Sequence, residues 1–325
     1  MLPAITIGIP VKNEENTIIC MLQSLVKALR YLNKSVQYET IICLNGTTDN
    51  TEKVIKSDVY LNLRSQLNLR IIHSDPGILP AERKIAKARK LRDFLLFSDA
   101  DIVLDKYAVK ELYNLMHKNN QIQVAYAEVL PKFIGRKNNF ARMLSNYYDM
   151  RHLLPERKYF HGRLFLLRND EKLLEQDDIK IALKGVKKRL VKDLYLEVGP
   201  ISDDIILSAK IFHMYGEGAI KRAKKAFVYF YPPDNFHDFF IGVRRRTIEI
   251  ERRNLLFPKY KDIQENHFDR SAKILKPTFF RRKKYMAELL MDVEKFLEYI
   301  VKDYDIYKNK HDLWATVKSS KPAKK

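Results

Sequence analysis

Through the first 130 residues, short apolar runs alternate with amphipathic stretches of helix length. Ala4 to Val11, A-I-T-I-G-I-P-V, reads as a first strand, followed by the charged turn Lys12-Asn13-Glu14-Glu15. Ile18, Met21, Leu22, Leu25, Val26 and Leu29 recur at the spacing of one helix face, with Asn16 or Thr17 as the cap. Glu39 to Leu44 is a second strand that breaks at the turn cluster Asn45-Gly46-Thr47-Thr48-Asp49-Asn50. Leu69 to His73 is a third strand, Pro80 to Arg92 a basic helix, and Phe94 opens a fourth strand. Strand and helix in alternation at this spacing predict a parallel α/β sheet with right-handed crossovers.

Beyond residue 105 the pattern continues less regularly. Residues 106–118 and 138–153 read as helices, and Gln123 to Val129 and Lys158 to Arg168 as strands. Residues 172–193 form a basic amphipathic connection. Asp203 and Asp204 begin a helix, and Ala226 to Tyr231 is a last strand closed by Pro232-Pro233. From about Asp234 the pattern is helical and dense in Arg and Lys, which sets an expected boundary between a domain over 1–233 and a basic helical extension over 234–325. Phe279 to Val301 is expected to pack on the first domain, with an interfacial membrane helix as the alternative.

The fourth strand carries the first candidate chemistry. Phe94 to Phe97 ends in two carboxylates one residue apart, Asp99 and Asp101. Ligands of open parallel sheets bind beyond the carboxyl ends of strands, and oxygen donors there suit a hard divalent cation. The spelling alone is weak: a D-x-D arises by chance about once in a chain with this much Asp. A second copy stands at Asp303 and Asp305. Position at a strand end is what distinguishes the first. The other strand ends also carry short polar loops, P-V-K-N-E-E and L-N-G-T-T-D-N-T. No G-x-G-x-x-G follows the first strand and no G-x-x-x-x-G-K-[ST] occurs, which removes the main support for dinucleotide-binding and P-loop readings.

In this order, P-V-K-N-E-E-N-T, N-G-T-T-D-N-T, D-A-D, H-G-R-L-F-L-L-R and S-D-D-I-I-L-S resemble the inverting family 2 glycosyltransferases of GT-A fold, over roughly residues 4–250. The resemblance implies an α/β fold with a mostly parallel sheet flanked by helices and a nucleotide-sugar donor, with UDP favoured and GDP as the alternative. Pro10, Val11, Asn13 and Glu14 would line the nucleotide pocket. Asn45 stands where the family commonly has an Asp that accepts from the base, and Asn still accepts through its carbonyl oxygen. Arg83 would contact base or diphosphate. Asp101 would hold Mn2+ or Mg2+, with Asp99 on the ribose or the metal and Ala100 between them. Asp204, with Asp203 beside it, would take the acceptor proton; the same pair also reads as a helix cap. Gly162 would admit a sugar close to the backbone, and Arg245 or Arg246 would meet diphosphate or acceptor. The run G-V-R-R-R-T lacks the Trp of processive relatives, so a single transfer is expected. His237 is expected on the surface rather than on the metal.

Charge and composition narrow the rest. The net charge of +20 is uneven: residues 1–130 carry +3 and residues 131–325 carry +17. A basic second half suits an anionic substrate, an anionic membrane surface or nucleic acid, but no nucleic-acid motif is visible, so no nucleic-acid partner is expected. A hydroxyl acceptor of lipid-linked or polysaccharide type, met at a membrane face, follows from charge alone. A sugar-phosphate nucleotidyltransferase would need a Gly-rich loop after the first strand, which P-V-K-N-E-E is not. No apolar run approaches the ~18–20 residues of a membrane span, and the start shows no charged n-region, so the expected compartment is the cytosol. Cys20 and Cys43 are expected as buried free thiols.

Overall fold

The computed structural model describes residues 3–132, 139–150, 159–170, 173, 203–263, 289–290 and 292–299. The apolar runs of the first half are strands: β1 (Ala4–Val11), β2 (Gln37–Asn45), β3 (Leu69–Ser74) and β4 (Phe94–Ser98). Between them lie α1 (Ile18–Leu29), the short α2 (Thr51–Lys56) and α3 (Leu61–Gln66), and α4 (Ile78–Ala88). There follow β5 (Ile102–Leu104), α5 (Ala108–Lys118), β6 (Val124–Pro131), α6 (Asn139–Met150) and β7 (Leu164–Arg168). The described part continues with α7 (Asp203–Tyr215), β8 (Ile220–Phe230) and α8 (Phe236–Leu256).

The strands form one sheet in the order β3-β2-β1-β4-β7-β6-β8-β5. β3, β2, β1 and β4 pair in parallel, as do β6 and β8. β7 is antiparallel to both β4 and β6, and β5 is antiparallel to β8. The sheet is therefore mostly parallel, with two strands running against the rest. β8 starts well before the expected Ala226 because its exposed positions carry Lys221, Lys224 and Lys225, and a register shift opposite Ala127 and Glu128 interrupts its alternation.

Alternation along the strands builds two apolar layers, as a sheet covered on both faces requires. Ile5, Ile7, Ile9, Ile42, Leu44, Phe94 and Leu96 face α1 and α5. Ile41, Cys43, Leu95, Phe97, Phe165 and Leu167 face α4 and α7. Gly8 lies on the second face under α4, where an added Cβ would stand 2.8 Å from Ile85 Cγ2 and 2.9 Å from Phe97 Cε1. The missing side chain thus lets α4 sit close on β1. Cys43 is buried as expected, but Cys20 lies on the outer side of α1 and is exposed. Both thiols are free.

A buried carboxylate fixes the opposite end of the strands. Glu39 of β2 is 3% exposed. Its Oε1 accepts from the backbone N–H groups of Lys90 (2.6 Å) and Leu91 (2.9 Å) and from Thr6 Oγ1 (2.9 Å). Its Oε2 meets Arg70 Nη2 at 2.8 Å. Burial alone would raise its pKa, but the hydrogen bonds from Leu91, Lys90, Thr6 and Arg70 hold it below the usual carboxylate range.

On the C-terminal side, residues 289–290 and 292–299 are helical. Leu290 and Leu297 pack with Leu144 and Tyr147 of α6 and Phe239 and Val243 of α8. Of the expected Phe279 to Val301 helix, these residues touch α6 and α8, while Leu289, Phe296 and Tyr299 are exposed. Among the described residues no helix is long and apolar enough to cross a membrane. The expected connection over 172–193, the Asp303 and Asp305 pair and the tail around Trp314 lie outside the described residues.

Glu39→Ala should lower the unfolding free energy by about 3 kcal/mol, the usual effect of breaking one side of a buried ion pair, read as a lower urea midpoint. Because the folded pKa is depressed, the stabilisation is fully present above the unfolded value of about 4.3. It is lost as pH falls through the folded value. The gap between wild type and Glu39→Gln should therefore shrink when the urea series is repeated progressively below about pH 4.

Candidate active site

The parallel strands β1, β2 and β4 present their carboxyl ends on one edge, and three polar loops meet there. Asn13 adopts φ 57°, a left-handed conformation that Asn tolerates better than most residues. Its Oδ1 accepts from Thr48 N (2.8 Å), Thr48 Oγ1 (3.3 Å) and Asp49 N (3.4 Å). Glu14 N donates to Thr51 Oγ1 (2.8 Å) and Glu15 N to Asp49 Oδ2 (3.2 Å). In return, Asn50 donates through its backbone N (3.1 Å) and Nδ2 (3.0 Å) to Glu15 Oε2. Thr47 Oγ1 donates to the Val11 carbonyl at 3.1 Å. The loops after β1 and β2 are thus joined by bonds running both ways.

Asn13 and Glu14, expected to line a nucleotide pocket, carry this seam. The Val11 side chain is in the apolar core, because β1 alternates and position 11 falls on the same face as Ile5, Ile7 and Ile9. Ala100 is likewise core, which leaves only its backbone on the site side. Pro10 is half-buried near the end of β1. Asn45 ends β2 and is 5% exposed, beside Gly46, whose φ of 77° turns the chain away from the sheet. Arg83 is half-buried on α4.

At the end of β4, Asp99 and Asp101 keep about a third of their side-chain surface open, 34% and 29%. Arg163 stands against both: its Nη1 lies 3.4 Å from Asp101 Oδ1 and 3.9 Å from Asp99 Oδ2. The guanidinium Cζ sits 4.3 Å from the centroid of Phe230. The backbone joins in, Asp99 N donating to the Arg163 carbonyl at 2.9 Å. Sequence reading missed Arg163, although it stands inside the quoted H-G-R-L-F-L-L-R. The signal needed was the antiparallel register of β7 on β4, Ser98 opposite Leu164, which sets Arg163 beside the two carboxylates.

The second acidic element is drawn to the same loop. Asp204, in the first turn of α7, accepts from Gly162 N at 3.1 Å and from Ile205 N at 2.8 Å. Two residues singled out far apart in sequence are therefore in contact. Asp203 opens α7, and its side chain lies outside the described ones. Arg253 of α8, also missed, is 7% exposed and within electrostatic reach of Asp204. Burial pushes the Arg253 guanidinium down, while the charges of Asp204 and Glu249 oppose the shift.

The arginine run divides. Arg245 is half-buried on α8. Arg246 is exposed and pairs with Glu294 of the C-terminal helix. His237 is exposed in the first turn of α8. Among the described residues no group of three or more His, Cys, Asp and Glu could hold a metal. Asp99 and Asp101 offer at most two carboxylates, which suits an ion that keeps waters and substrate phosphates in its shell.

Comparison with known proteins agrees with this architecture. A mannosyltransferase, PcManGT, from Pyrobaculum calidifontis, solved with GDP-Man and Mn2+, superposes with a TM-score of 0.51 at 13% identity, over 93% of this chain and 74% of that one. Glucosyl-3-phosphoglycerate synthase from Mycobacterium tuberculosis, solved with Mn2+, UDP-glucose and phosphoglyceric acid, gives 0.46 at 14% identity, over 79% and 80%. TarS 1-349 of S. aureus gives 0.45 at 17% identity, over 97% and 90%. No curated protein sequence matches the chain. The glycosyl transferase family 2 profile matches residues 6–174, just over half the chain. With its mostly parallel GT-A sheet and its polar loops gathered at one strand edge, the chain belongs to glycosyl transferase family 2.

Proposed function

We propose that the chain transfers one sugar from a nucleotide-diphosphate donor to a hydroxyl acceptor, with inversion, at the edge where β1, β2 and β4 end. The observation that carries this is the pair of half-open carboxylates, Asp99 and Asp101, on the same edge as Asn45 and the joined loops. Asn45 would accept from the base and Arg83 would meet base or diphosphate, with a UDP-sugar favoured and a GDP-sugar as the alternative. The backbone at Pro10 and Ala100 completes the nucleoside side.

Asp101, with Asp99, would hold Mn2+ or Mg2+. Such an ion, when bound, neutralises charge developing on a leaving diphosphate. The remaining steps belong to the chain's own groups. Asp204 accepts two backbone N–H bonds, which aim its carboxylate at one place. It takes the proton of the acceptor hydroxyl as the oxygen attacks the anomeric carbon and the bond to the diphosphate breaks. Asp203 is its neighbour on the same turn. Gly162 donates the bond that orients Asp204, which gives it a positioning part beyond admitting a sugar. Arg245 would meet diphosphate or acceptor. The basic second half suits a phosphorylated lipid or a polysaccharide-type acceptor at an anionic membrane face.

Asp204→Asn should reduce kcat by about 10²- to 10⁴-fold, the usual loss of a general base, with donor affinity unchanged in a thermal-shift titration. Normal turnover by the variant removes Asp204 as the base. Asp101→Ala should abolish transfer and weaken nucleotide-sugar binding in a thermal-shift screen of UDP-, GDP- and dTDP-sugars with Mn2+ or Mg2+. Full wild-type activity in excess chelator would exclude the metal.

A further inference from the structure

The side chain placed against Asp99 and Asp101 is itself a permanent cation. An arginine does not deprotonate in a protein, so its charge is always present. Arg163 contacts both carboxylates through a single nitrogen, at 3.4 and 3.9 Å, rather than through the two-pronged geometry that would lock a guanidinium onto one carboxylate. Other contacts hold the residue as well. The backbone carbonyl is fixed by Asp99 N, and the guanidinium lies over the Phe230 ring at 4.3 Å. Phe230 is itself buried and set edge-on to Tyr148, with ring centroids 5.3 Å apart. Its strand pairs with β5, which begins one residue after Asp101. The guanidinium therefore rests on a rigid aromatic shelf and leans toward the carboxylates.

We infer that Arg163 is a resident counter-cation of the Asp99 and Asp101 pair, competing with a divalent ion for the same oxygens. This rests on the reading of those carboxylates as cation ligands. Asp101 Oδ1 cannot face a guanidinium nitrogen and a divalent ion at close range without the two positive charges repelling each other. An ion held by these carboxylates would displace the guanidinium from them, leaving it on the Phe230 ring as a planar donor for a diphosphate. The chain thus keeps its acidic strand end neutralised when no donor is bound, and bare metal is bound weakly until the donor's own charge joins it.

The test is direct binding of Mn2+ to the purified full chain without nucleotide, followed by electron paramagnetic resonance of the free ion. Removing a partly exposed competitor, worth up to about 1 kcal/mol as an ion pair, should tighten Mn2+ binding roughly fivefold in Arg163→Gln. Arg163→Lys, which keeps the charge, should stay within about twofold of wild type. A circular-dichroism melt of each variant confirms that the fold is retained. Asp101→Asn in the Arg163→Gln background should lose the tightened binding. Equal or weaker binding by Arg163→Gln, or no binding by either protein, overturns the competition. Tightening that survives Asp101→Asn overturns the underlying assignment of the carboxylates instead.

Discussion

The carboxylate of Glu39 ties together the amino ends of the strands whose other ends form the site. It takes bonds from β1 through Thr6, from β3 through Arg70 and from the turn entering β4 through Lys90 and Leu91. A parallel sheet gives these strands one direction but does not by itself set their relative height. A shared buried acceptor does set it, since a slip of one strand would leave buried donors without partners. With the starts of β1, β2 and β4 fixed, five to nine residues later their ends arrive level at one edge. The position of Asp99 and Asp101 relative to Asn45 thus depends on an acid on the far side of the sheet.

The first half of the architecture was legible because strand and helix there have different periods and are punctuated by polar turns. β1 was read to the residue, and β2 and β4 to within two residues. The second half was less so. β7 is an apolar run buried on both faces, and such a run carries no mark of direction; its antiparallel seat between β4 and β6 comes from the whole sheet. That one fact hid Arg163. The side chains of Val11 and Ala100 lie in the core for a related reason: a motif names positions, while the pleat decides which side chains point inward. Asp99, Asp101, Asp204 and Gly162 were legible as motif residues, but the bond between the last two was not.

α8 links the site to the periphery. Arg253 reaches toward Asp204, and Arg246, two helical turns earlier, holds Glu294. The Tyr147 hydroxyl of α6 donates to that same Glu294 at 3.3 Å. The basic density of the second half is therefore not one undivided surface. Arg253 is internal, and Arg246, though exposed, is paired with a named carboxylate.

The seam between the loops after β1 and β2 has a consequence for how such a chain changes over time. Asn13 serves Thr48 and Asp49, while Asp49 and Asn50 serve Glu15, so neither loop keeps its shape with the other altered. A substitution tolerated in one loop should therefore depend on the residue across the seam, and the two segments should drift as one heritable unit.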